Sequence, residues 1–355
     1  MNEVLAGWRD RVKTAASARA PLRLVGGGTK DFYGQELLGE RFDTSPYAGI
    51  VDYDPTEMVI TARCGTPLAV IERTLAEAGQ MLGFEPPRYG EAATLGGCIA
   101  AGLAGPRRPH AGAIRDLLLG VRLVDGRGED LVFGGRVMKN VAGFDVSRAL
   151  AGSLGTLGII AEASLKCLPL PKLESSRVFE LEAVEAIQRM NEWGGHPLPL
   201  TATCWCEGRL YARFSGAQSA VAAALQAVGG TPLADAEAFW ASLREQRHEF
   251  FSRDPDAPLW RLSVRTTAPF TDLGAQLVEW GGALRWLKGN AGADPARLRV
   301  WAQQQGGHAT LFRAVDKSPG VFQRPSGPVM AIHLELKAAF DPQGIFNRQR
   351  MYPDF

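Results

Sequence analysis

The sequence lacks a charge excess, a long apolar run and a clustered set of cysteines. Its 39 Lys and Arg residues nearly match its 38 Asp and Glu residues, for a formal net charge of +1. Such a balance offers no basic surplus to attract a nucleic acid or an anionic membrane surface. No uncharged apolar stretch reaches the ~18 residues that a membrane-spanning helix needs. The composition therefore argues against nucleic-acid-binding and membrane-spanning proteins and favours a globular protein.

The cysteines show no spacing suited to redox chemistry. Cys64, Cys98, Cys167, Cys204 and Cys206 include no Cys-x-x-Cys pair. A disulfide framework needs paired thiols and an iron–sulfur cluster needs four thiolates, so neither is predicted. We expect buried thiols instead, with Cys204 and Cys206 facing the same side of one strand.

Length and the N-terminus indicate a two-domain cytoplasmic protein. Residues 1–12 carry charges where a secretory signal would need an apolar run, which predicts an N-terminal helix and a cytoplasmic location. A chain of 355 residues exceeds what one core usually sustains. We predict domains at residues 1–171 and 172–355, divided at Pro169-Leu170-Pro171.

Strand and helix signals alternate along both halves, which predicts an α+β fold. Apolar patterns bounded by turn residues predict strands at 22–25, 49–53, 58–62, 118–124, 130–133, 159–168, 177–181, 200–206, 260–264, 283–287 and 310–314. Helices are predicted at 184–193, 217–228 and 295–305. A further helix would have Thr66 as N-cap, Pro67 at its first position and Gly79 after its end. The turn at 125–128 predicts a β-hairpin.

Three glycine-rich stretches in the first half are the strongest functional signal. They are Gly26-Gly27-Gly28-Thr29-Lys30, Thr94-Leu95-Gly96-Gly97, and a longer segment from Lys139 to Ile160. Glycine lets the backbone approach a ligand closely, so that clustered N–H groups can surround a diphosphate. The first stretch alone is also compatible with an ordinary turn. Thr94 as an N-cap would aim the first N–H groups of a helix at a phosphate, and together the stretches predict a dinucleotide site.

The common nucleotide-binding motifs do not account for these stretches. The loop at Gly26 lacks the Gly-x-Gly-x-x-Gly spacing of a Rossmann fold, which also needs an acidic residue about 20 positions further on. No Walker sequence occurs either. The diphosphate would therefore lie between loops that are distant in sequence, as in another class of flavin fold.

Several motifs occur together in one known superfamily. They are the loop from Gly26, Pro86-Pro87, the segments 93–97 and 112–116, and Lys139 to Asp145 followed by 155–160. Over about residues 21–171 they resemble the PCMH-type FAD-binding domains of the vanillyl-alcohol oxidase superfamily. Segments 26–34, 102–109 and 336–347 most resemble the FAD-binding E subunits of three-component glycolate oxidases (glycolate dehydrogenases). The resemblance implies a two-subdomain PCMH-type domain, a smaller α+β FAD-linked-oxidase C-terminal domain, and a tail, 336–355, that returns toward the flavin.

The resemblance also implies residues that hold FAD. The implied set is Gly26, Gly27, Gly28, Thr29, Lys30, Pro86, Thr94, Gly96, Gly97, Gly112, Arg115, Asp116, Lys139, Asn140, Gly143, Asp145, Ile159 and Ile160. The first two loops would hold the pyrophosphate through backbone N–H groups, Ile159 and Ile160 would flank the adenine, and the segments at 112–116 and 140–143 would follow the ribityl chain and isoalloxazine. Lys139 or Arg115 would place positive charge near the reduced flavin, or else be a solvated surface charge. Noncovalent FAD is expected, because relatives with a covalent link use a His in the first loop.

Substrate-handling residues are less evident. Relatives that oxidise 2-hydroxy acids carry closely spaced histidines with a carboxylate, whereas His110, His196, His248, His308 and His333 are scattered singly, so no metal site is predicted. Arg261 and Arg265 on one strand, with Arg285 on another, are candidates for clamping a small carboxylate. The same arginines could instead face a partner subunit. The sequence identifies no catalytic base.

Two functions remain in competition at this point. The chain is expected to be the FAD-binding subunit of a glycolate oxidase complex that oxidises glycolate, or D-lactate, and passes electrons to an iron–sulfur partner subunit. Alternatively it is a non-catalytic FAD-carrying assembly or relay subunit, whose homologous FAD-containing partner performs the hydride transfer. A stand-alone oxidase would need a base that the sequence does not show. Any membrane association would be peripheral, at the inner membrane, through partner subunits.

Overall fold

The protein has the α+β architecture that the sequence predicts. The computed structural model describes residues 2–135, 145–289 and 294–355. The helices are α1 (Asn2–Ala18), α2 (Leu68–Glu77), α3 (Leu95–Ala101), α4 (Arg108–Ala111), α5 (Ile114–Leu117), α6 (Val146–Leu150), α7 (Ala183–Gly194), α8 (Gln218–Val228), α9 (Ala236–Arg244), α10 (Glu249–Ser252), α11 (Pro295–Gln304) and α12 (Gly327–Phe340). Among the helices of these ranges, none is long and apolar enough to cross a membrane.

The strands form two larger antiparallel sheets and two small pairs. They are β1 (Leu22–Val25), β2 (Glu40–Asp43), β3 (Ile50–Asp54), β4 (Val59–Arg63), β5 (Gln80–Met81), β6 (Leu118–Val124), β7 (Asp130–Gly134), β8 (Ile159–Lys166), β9 (Leu168–Pro169), β10 (Leu173–Glu180), β11 (Leu200–Cys206), β12 (Arg209–Gly216), β13 (Thr231–Pro232), β14 (Leu259–Ser263), β15 (Ala275–Glu279), β16 (Leu284–Lys288) and β17 (His308–Arg313). The small pairs are β1 with β2 and β5 with β9.

The first sheet lies within residues 50–166 and has the order β3-β4-β8-β6-β7. β6 and β7 pair in register from Gly120 opposite Gly134 to Val124 opposite Asp130, which confirms the predicted hairpin. Helices α2 and α3 pack on this sheet, where their buried leucine and isoleucine side chains share one core with strands β4, β6 and β8. The segment 94–101 therefore packs on this core through its buried side chains.

The start of α2 differs from the prediction. Pro67, not Thr66, is the N-cap residue, and it makes no capping hydrogen bond. The Thr66 hydroxyl instead donates to the Arg63 carbonyl at 2.6 Å and accepts from the Gly49 N–H at 2.8 Å. Thr66 therefore stabilises the turn after β4, because its side chain competes for backbone partners outside the helix. Gly79 follows the helix end with φ of +68°, as predicted.

The parallel pair β1–β2 lies beside both ends of the chain. It pairs in register from Leu22 opposite Glu40 to Val25 opposite Asp43. Leu22 also forms a parallel bridge with Phe346 near the C-terminus. Side chains of α1 pack in the same core as Phe42 and Phe346. The C-terminal segment therefore lies next to the strand that leads into the first glycine loop.

The second sheet is built from residues 173–313 and has the order β13-β10-β12-β11-β15-β16-β14-β17. Helices α7 and α8 pack on it around Trp193 and Phe214, and α11 packs near Trp260. The strand predicted at 200–206 is confirmed residue for residue, and the helix predicted at 217–228 begins one residue later. The longer elements that were not predicted include strands β2, β12 and β15 and helices α9 and α12.

A buried ion-pair network joins the loops at Glu85 and Arg107 to the second sheet. Arg107 Nε lies 3.1 Å from a Glu85 carboxylate oxygen, and its Nη2 lies 2.6 Å from Glu174. Arg213, on β12, reaches Glu85 at 2.8 Å. The two arginine side chains are only 8% and 4% exposed, so this network fixes the segment 105–108 against the second sheet. The boundary near residue 171 stays a prediction.

Candidate functional site

The first glycine loop packs directly against the second glycine stretch. A Cβ atom on Gly27 would lie 1.6 Å from the Ala92 carbonyl oxygen, and one on Gly26 would lie 2.4 Å from Thr94 Oγ1. Gly28 has φ of +70°, which L side chains rarely adopt. Glycine is therefore required here for close approach of two backbones and for a turn.

The first loop exposes a row of backbone donors. Within the described residues, the N–H groups of residues 26–30 donate to no other protein group. Buried or half-buried N–H groups are nearly always paired, and successive unpaired groups in a turn form a concave anion site. Lys30 adds a charge beside them, with its Nζ 3.2 Å from the Arg88 carbonyl oxygen. Burial lowers the pKa of Lys30, while Glu245 is among the groups that oppose this shift.

The second stretch contributes less to anion binding than the sequence suggests. Thr94 is the N-cap of α3, as predicted, and its hydroxyl accepts from the Gly97 N–H at 3.3 Å. However, the Leu95 N–H donates to the Thr66 carbonyl, and the Gly96 N–H donates to the Cys64 carbonyl at 2.8 Å. These two N–H groups are occupied and do not point at a ligand. The second stretch therefore provides space for a ligand rather than hydrogen-bond donors to it.

Two adjoining clefts bring most of the predicted loop residues together. The first cleft is lined by Leu24, Gly26, Gly27, Gly28, Thr29, Lys30, Asp31, Tyr33, Leu37, Thr94, Gly97, Ala100, Ala101, Leu154, Asn347 and Arg350. The second cleft is lined by Leu24, Val25, Gly26, Thr44, Gly96, Gly97, Ala100, Leu154, Gly155, Gly158, Ile159, Ile160 and Asn347. Because they share Gly26, Gly97 and Asn347, the clefts form one groove along the two glycine stretches.

Other predicted residues lie elsewhere. Of the residues that the structure describes, Pro86, Gly112, Arg115, Asp116 and Asp145 are not in the walls of either cleft. Arg115 is exposed and lies 3.7 Å from Asp116, and Asp145 pairs with Arg148 at 2.8 Å. Lys139, Asn140 and Gly143 lie outside the described residues.

The C-terminal tail supplies two cleft residues that the sequence did not reveal as ligand-facing. Asn347 accepts from the Leu24 N–H at 2.8 Å and donates to the Leu154 carbonyl at 2.6 Å. The buried Arg350 guanidinium donates to the Asp31 carbonyl at 2.8 Å, and burial lowers its pKa to about 10. The tail therefore holds both walls of the first cleft. Asn347 ends a segment that carries the family resemblance, whereas Arg350 has no sequence signal.

A buried lysine attaches this tail to the turn before β8. Lys337 Nζ donates to the Thr156 carbonyl at 2.7 Å, to Asp341 Oδ2 at 2.8 Å and to the Phe346 carbonyl at 3.0 Å. Asp341 also accepts from the Ile345 and Phe346 N–H groups. The pair thus links α12, the tail and the turn before β8.

The structure does not bring the three candidate arginines together. In the pairing of β14 with β16, Leu262 is opposite Arg285 and Arg261 is opposite Trp286, so Arg261 and Arg285 lie on opposite faces of the sheet. Arg285 is buried and donates to the Gly282 and Ala268 carbonyls. Arg265 lies beyond the end of β14, is exposed and donates to the Gln305 carbonyl. Of the three candidate arginines, Arg261 is the one that lies near another candidate functional side chain.

A buried carboxyl that the sequence did not indicate lies near Arg261. Glu279 ends β15, is 4% exposed and accepts from Trp286 Nε1 at 2.8 Å. Burial raises the pKa of Glu279 to about 7, while the Trp286 hydrogen bond and the Arg261 charge oppose this shift. A carboxyl of this kind changes protonation near neutral pH, which suits proton transfer. The only local feature of the sequence that marks this position is Glu-Trp-Gly-Gly at 279–282.

Glu279 is expected to make stability depend on pH. Its folded-state pKa lies above the ordinary value of 4.5, so its contribution is present at low pH and is lost as the pH rises through about 7. Glu279→Gln keeps an oxygen acceptor for Trp286 and removes the charge. The variant should melt like the wild type near about pH 4, below the ordinary carboxyl pKa, and at a higher temperature than the wild type near about pH 8. Glu207→Gln, at an exposed carboxylate, is the control, and an equal difference at both pH values would contradict the assignment.

The cysteines and histidines form no metal site in the described ranges. No group of three or more His, Cys, Asp or Glu side chains there is placed to hold a metal ion. All five cysteines are free and buried, and the burial of Cys204 and Cys206 was predicted. Burial raises the pKa of the Cys98 and Cys206 thiols to about 12, so these thiols stay protonated and unreactive.

Comparison with known proteins gives a consistent result. A family described as "FAD binding domain" matches residues 8–134. The chain is 46% identical over 346 residues to glycolate oxidase subunit GlcE of Escherichia coli, covering 97% of this chain and 96% of that protein. It is 31% identical over 137 residues to glycolate oxidase subunit GlcD of Bacillus subtilis, covering 39% of this chain and 29% of that protein.

A solved structure shares the fold. The structure of an alkyldihydroxyacetonephosphate synthase aligns with 96% of this chain and 74% of its own, with a TM-score of 0.65 and 18% sequence identity. At that level of identity the likeness concerns the fold alone. It extends beyond the matched FAD-binding region into the second sheet.

Proposed function

The chain belongs to the glycolate oxidase E-subunit family, and from that premise we propose that it is the FAD-carrying subunit of a complex that oxidises glycolate or a similar 2-hydroxy acid. The observation that carries the proposal is the row of unpaired N–H groups at residues 26–30 beside a groove. The FAD-binding domain that matches residues 8–134 includes this loop.

The groove fits a dinucleotide diphosphate. A Cβ on Gly26 would collide with Thr94 and one on Gly27 with Ala92, so only glycine lets the loop lie this close to residues 92–94. The loop's N–H groups, which have no acceptor among the described residues, are then available to an anion. Residues 26–30 would bind the diphosphate, Lys30 would add charge, and Ile159 and Ile160 would line the apolar end. Thr29 and Lys30 stand where relatives with covalent flavin have a His, so the binding would be noncovalent.

The bound FAD supplies the capacity to accept a hydride equivalent from the substrate carbon. The chain's own residues would orient it: Asn347 and Arg350 hold the cleft walls, and Tyr33 lines the first cleft. We further propose a homologous FAD-containing subunit and an iron–sulfur subunit as partners, with electrons passing to the latter. Any contact with the inner membrane would be made through those partners.

The test compares two complexes. Gly97 lines both clefts, and its Cβ would meet only Thr94 Oγ1, at 3.3 Å, so Gly97→Leu has room for its side chain mainly in the groove. The assembled complex with the wild-type chain should show flavin on this chain that bleaches on anaerobic addition of glycolate. With Gly97→Leu, the chain should fold, lack FAD and lose glycolate oxidation by at least about tenfold.

The matched control is Gly7→Ala in α1, where a Cβ meets nothing within 4 Å. It should keep both flavin and turnover. Full glycolate turnover by a complex whose E-type chain lacks FAD would overturn the proposal. A wild-type chain that binds no flavin would overturn it as well.

A further inference from the structure

Two arginines that are distant in sequence meet at one tryptophan. The guanidinium carbon of Arg108, in α4, lies 4.6 Å from the centre of the Trp280 ring, and that of Arg261, on β14, lies 5.3 Å from it. Trp280 is 5% exposed and donates its indole N–H to the Gly105 carbonyl at 3.1 Å. The indole is thus a fixed platform for two cations at the junction of the sheets.

Among the described residues, these two arginines differ from their neighbour Arg107 in having no salt-bridge partner. In the described part of the chain, neither Arg108 nor Arg261 forms a salt bridge, whereas the adjacent Arg107 binds both Glu85 and Glu174. Burial lowers the pKa of Arg108, and the charges of Arg261 and Arg115 lower it further, with Asp116 opposing. Two half-buried cations that repel each other would gain from an anion placed between them.

The surroundings have features of a functional site. Trp280 and Tyr89 are non-glycine residues with φ of +56° and +54°, and such strained residues concentrate at ligand sites. Tyr33 lies next to Arg261, and it also lines the first cleft. Burial raises the pKa of both tyrosines, with Arg261 among the charges that oppose the shift, so both hydroxyls stay protonated donors. Through Tyr33, Arg261 is therefore close to the proposed FAD groove.

We propose that Arg108 and Arg261, held against Trp280, bind the carboxylate of a small 2-hydroxy acid on this chain, beside the carboxyl of Glu279. This rests on the proposed function for the class of acid. Guanidinium groups pair with carboxylates through two parallel hydrogen bonds, and lysine or a neutral side chain does not reproduce this geometry. Glu279, a buried carboxyl that interacts with the Arg261 charge, would exchange a proton with the hydroxyl. The chain would then have its own substrate site rather than act only as a relay.

The test is calorimetric titration of the purified FAD-loaded chain with oxalate, a small carboxylate that has no C–H bond to oxidise. The wild type should bind one oxalate, and glycolate should compete. Arg261→Gln and Arg108→Gln should each weaken binding by at least about tenfold, and Arg261→Lys should weaken it less, because it keeps the charge but loses the fork. Arg253→Gln, which removes an exposed guanidinium paired with Glu207 and Glu249, should leave binding unchanged.

Flavin content and melting temperature are measured on every variant. They should not change in the arginine variants, because neither arginine lines the FAD clefts. A wild-type chain that holds FAD but binds neither oxalate nor glycolate would overturn this inference and leave the proposed function standing. Unchanged oxalate affinity in both arginine variants would also overturn it. So would competition by sulfate that is as strong as the competition by glycolate. Absence of FAD would count against the proposed function and would be read independently of oxalate binding.

Discussion

Replacing Lys337 with methionine is expected to lower the free energy of unfolding by about 3–5 kcal/mol, the usual cost of leaving a buried charge without its partner. Lys337 is 7% exposed and satisfies three oxygen acceptors, including Asp341, which is 1% exposed. Burial lowers the pKa of Lys337, and Asp341 opposes this shift. Methionine fills a similar volume but leaves the Asp341 carboxylate without its cation.

The same variant should also weaken FAD binding. Lys337 joins the tail to the turn at Thr156, and the tail carries Asn347 and Arg350 into the cleft wall. Urea unfolding followed by far-UV circular dichroism gives the stability, and a flavin fluorescence titration gives the affinity. The control is Arg324→Met, which removes an exposed ion pair with Asp354 in the same tail. It should cost no more than about 1 kcal/mol. Equal effects of the two variants would contradict the anchoring role.

Gly27→Ala is expected to abolish FAD binding. The new Cβ would lie 1.6 Å from the Ala92 carbonyl oxygen, so the first loop must move away from the second stretch. That movement would displace the N–H groups of residues 26–30 from their common concave face, and a diphosphate held by several such groups loses them together. The measurement is the flavin-to-protein ratio after purification, together with the equilibrium affinity for added FAD.

The control for this substitution is another glycine-to-alanine change. Gly7→Ala in α1 meets no neighbouring atom and should add about 0.5–1 kcal/mol of stability through helix propensity, with FAD retained. Circular dichroism must show that both variants are folded. A folded Gly27→Ala protein with wild-type FAD affinity would show that the loop is not the diphosphate site.

Local sequence patterns predicted those parts of the fold whose signals are local. The hairpin at 118–134, the N-cap at Thr94 and the strand at 200–206 each depend on residues within one element, and each is confirmed. The unpredicted strand β2 has the short sequence Glu-Arg-Phe-Asp, in which Phe42 alone is buried. It exists because it pairs in parallel with β1, a long-range contact that no local pattern encodes.

Helix α12 escaped prediction for a related reason. Its apolar side chains Val329, Ile332 and Leu334 are exposed, while Lys337 is buried. This reverses the pattern by which an amphipathic helix is recognised. The buried lysine makes sense only once Thr156 and Phe346, distant in sequence, are placed beside it.

The sequence predicted only the part of the candidate site that depends on local sequence. Glycine loops announce a close backbone approach through composition, so residues 26–30 and 94–97 could be named from the sequence. The roles of Leu95 and Gly96 as donors could not be judged, because their N–H groups are occupied by carbonyls of Thr66 and Cys64. Arg108, Glu279 and Arg350 acquire their environment only from the packing of separate segments.

The most direct test of the proposed diphosphate site is amide hydrogen exchange at residues 26–30, measured with FAD bound and after its removal. If these N–H groups hold the diphosphate, their exchange should slow by at least about tenfold when FAD binds, because they gain acceptors that the described residues do not provide. Leu95 and Gly96, already hydrogen-bonded to carbonyls, should change much less. Unchanged exchange at residues 26–30 in a chain that demonstrably binds FAD would show that these residues do not hold the diphosphate.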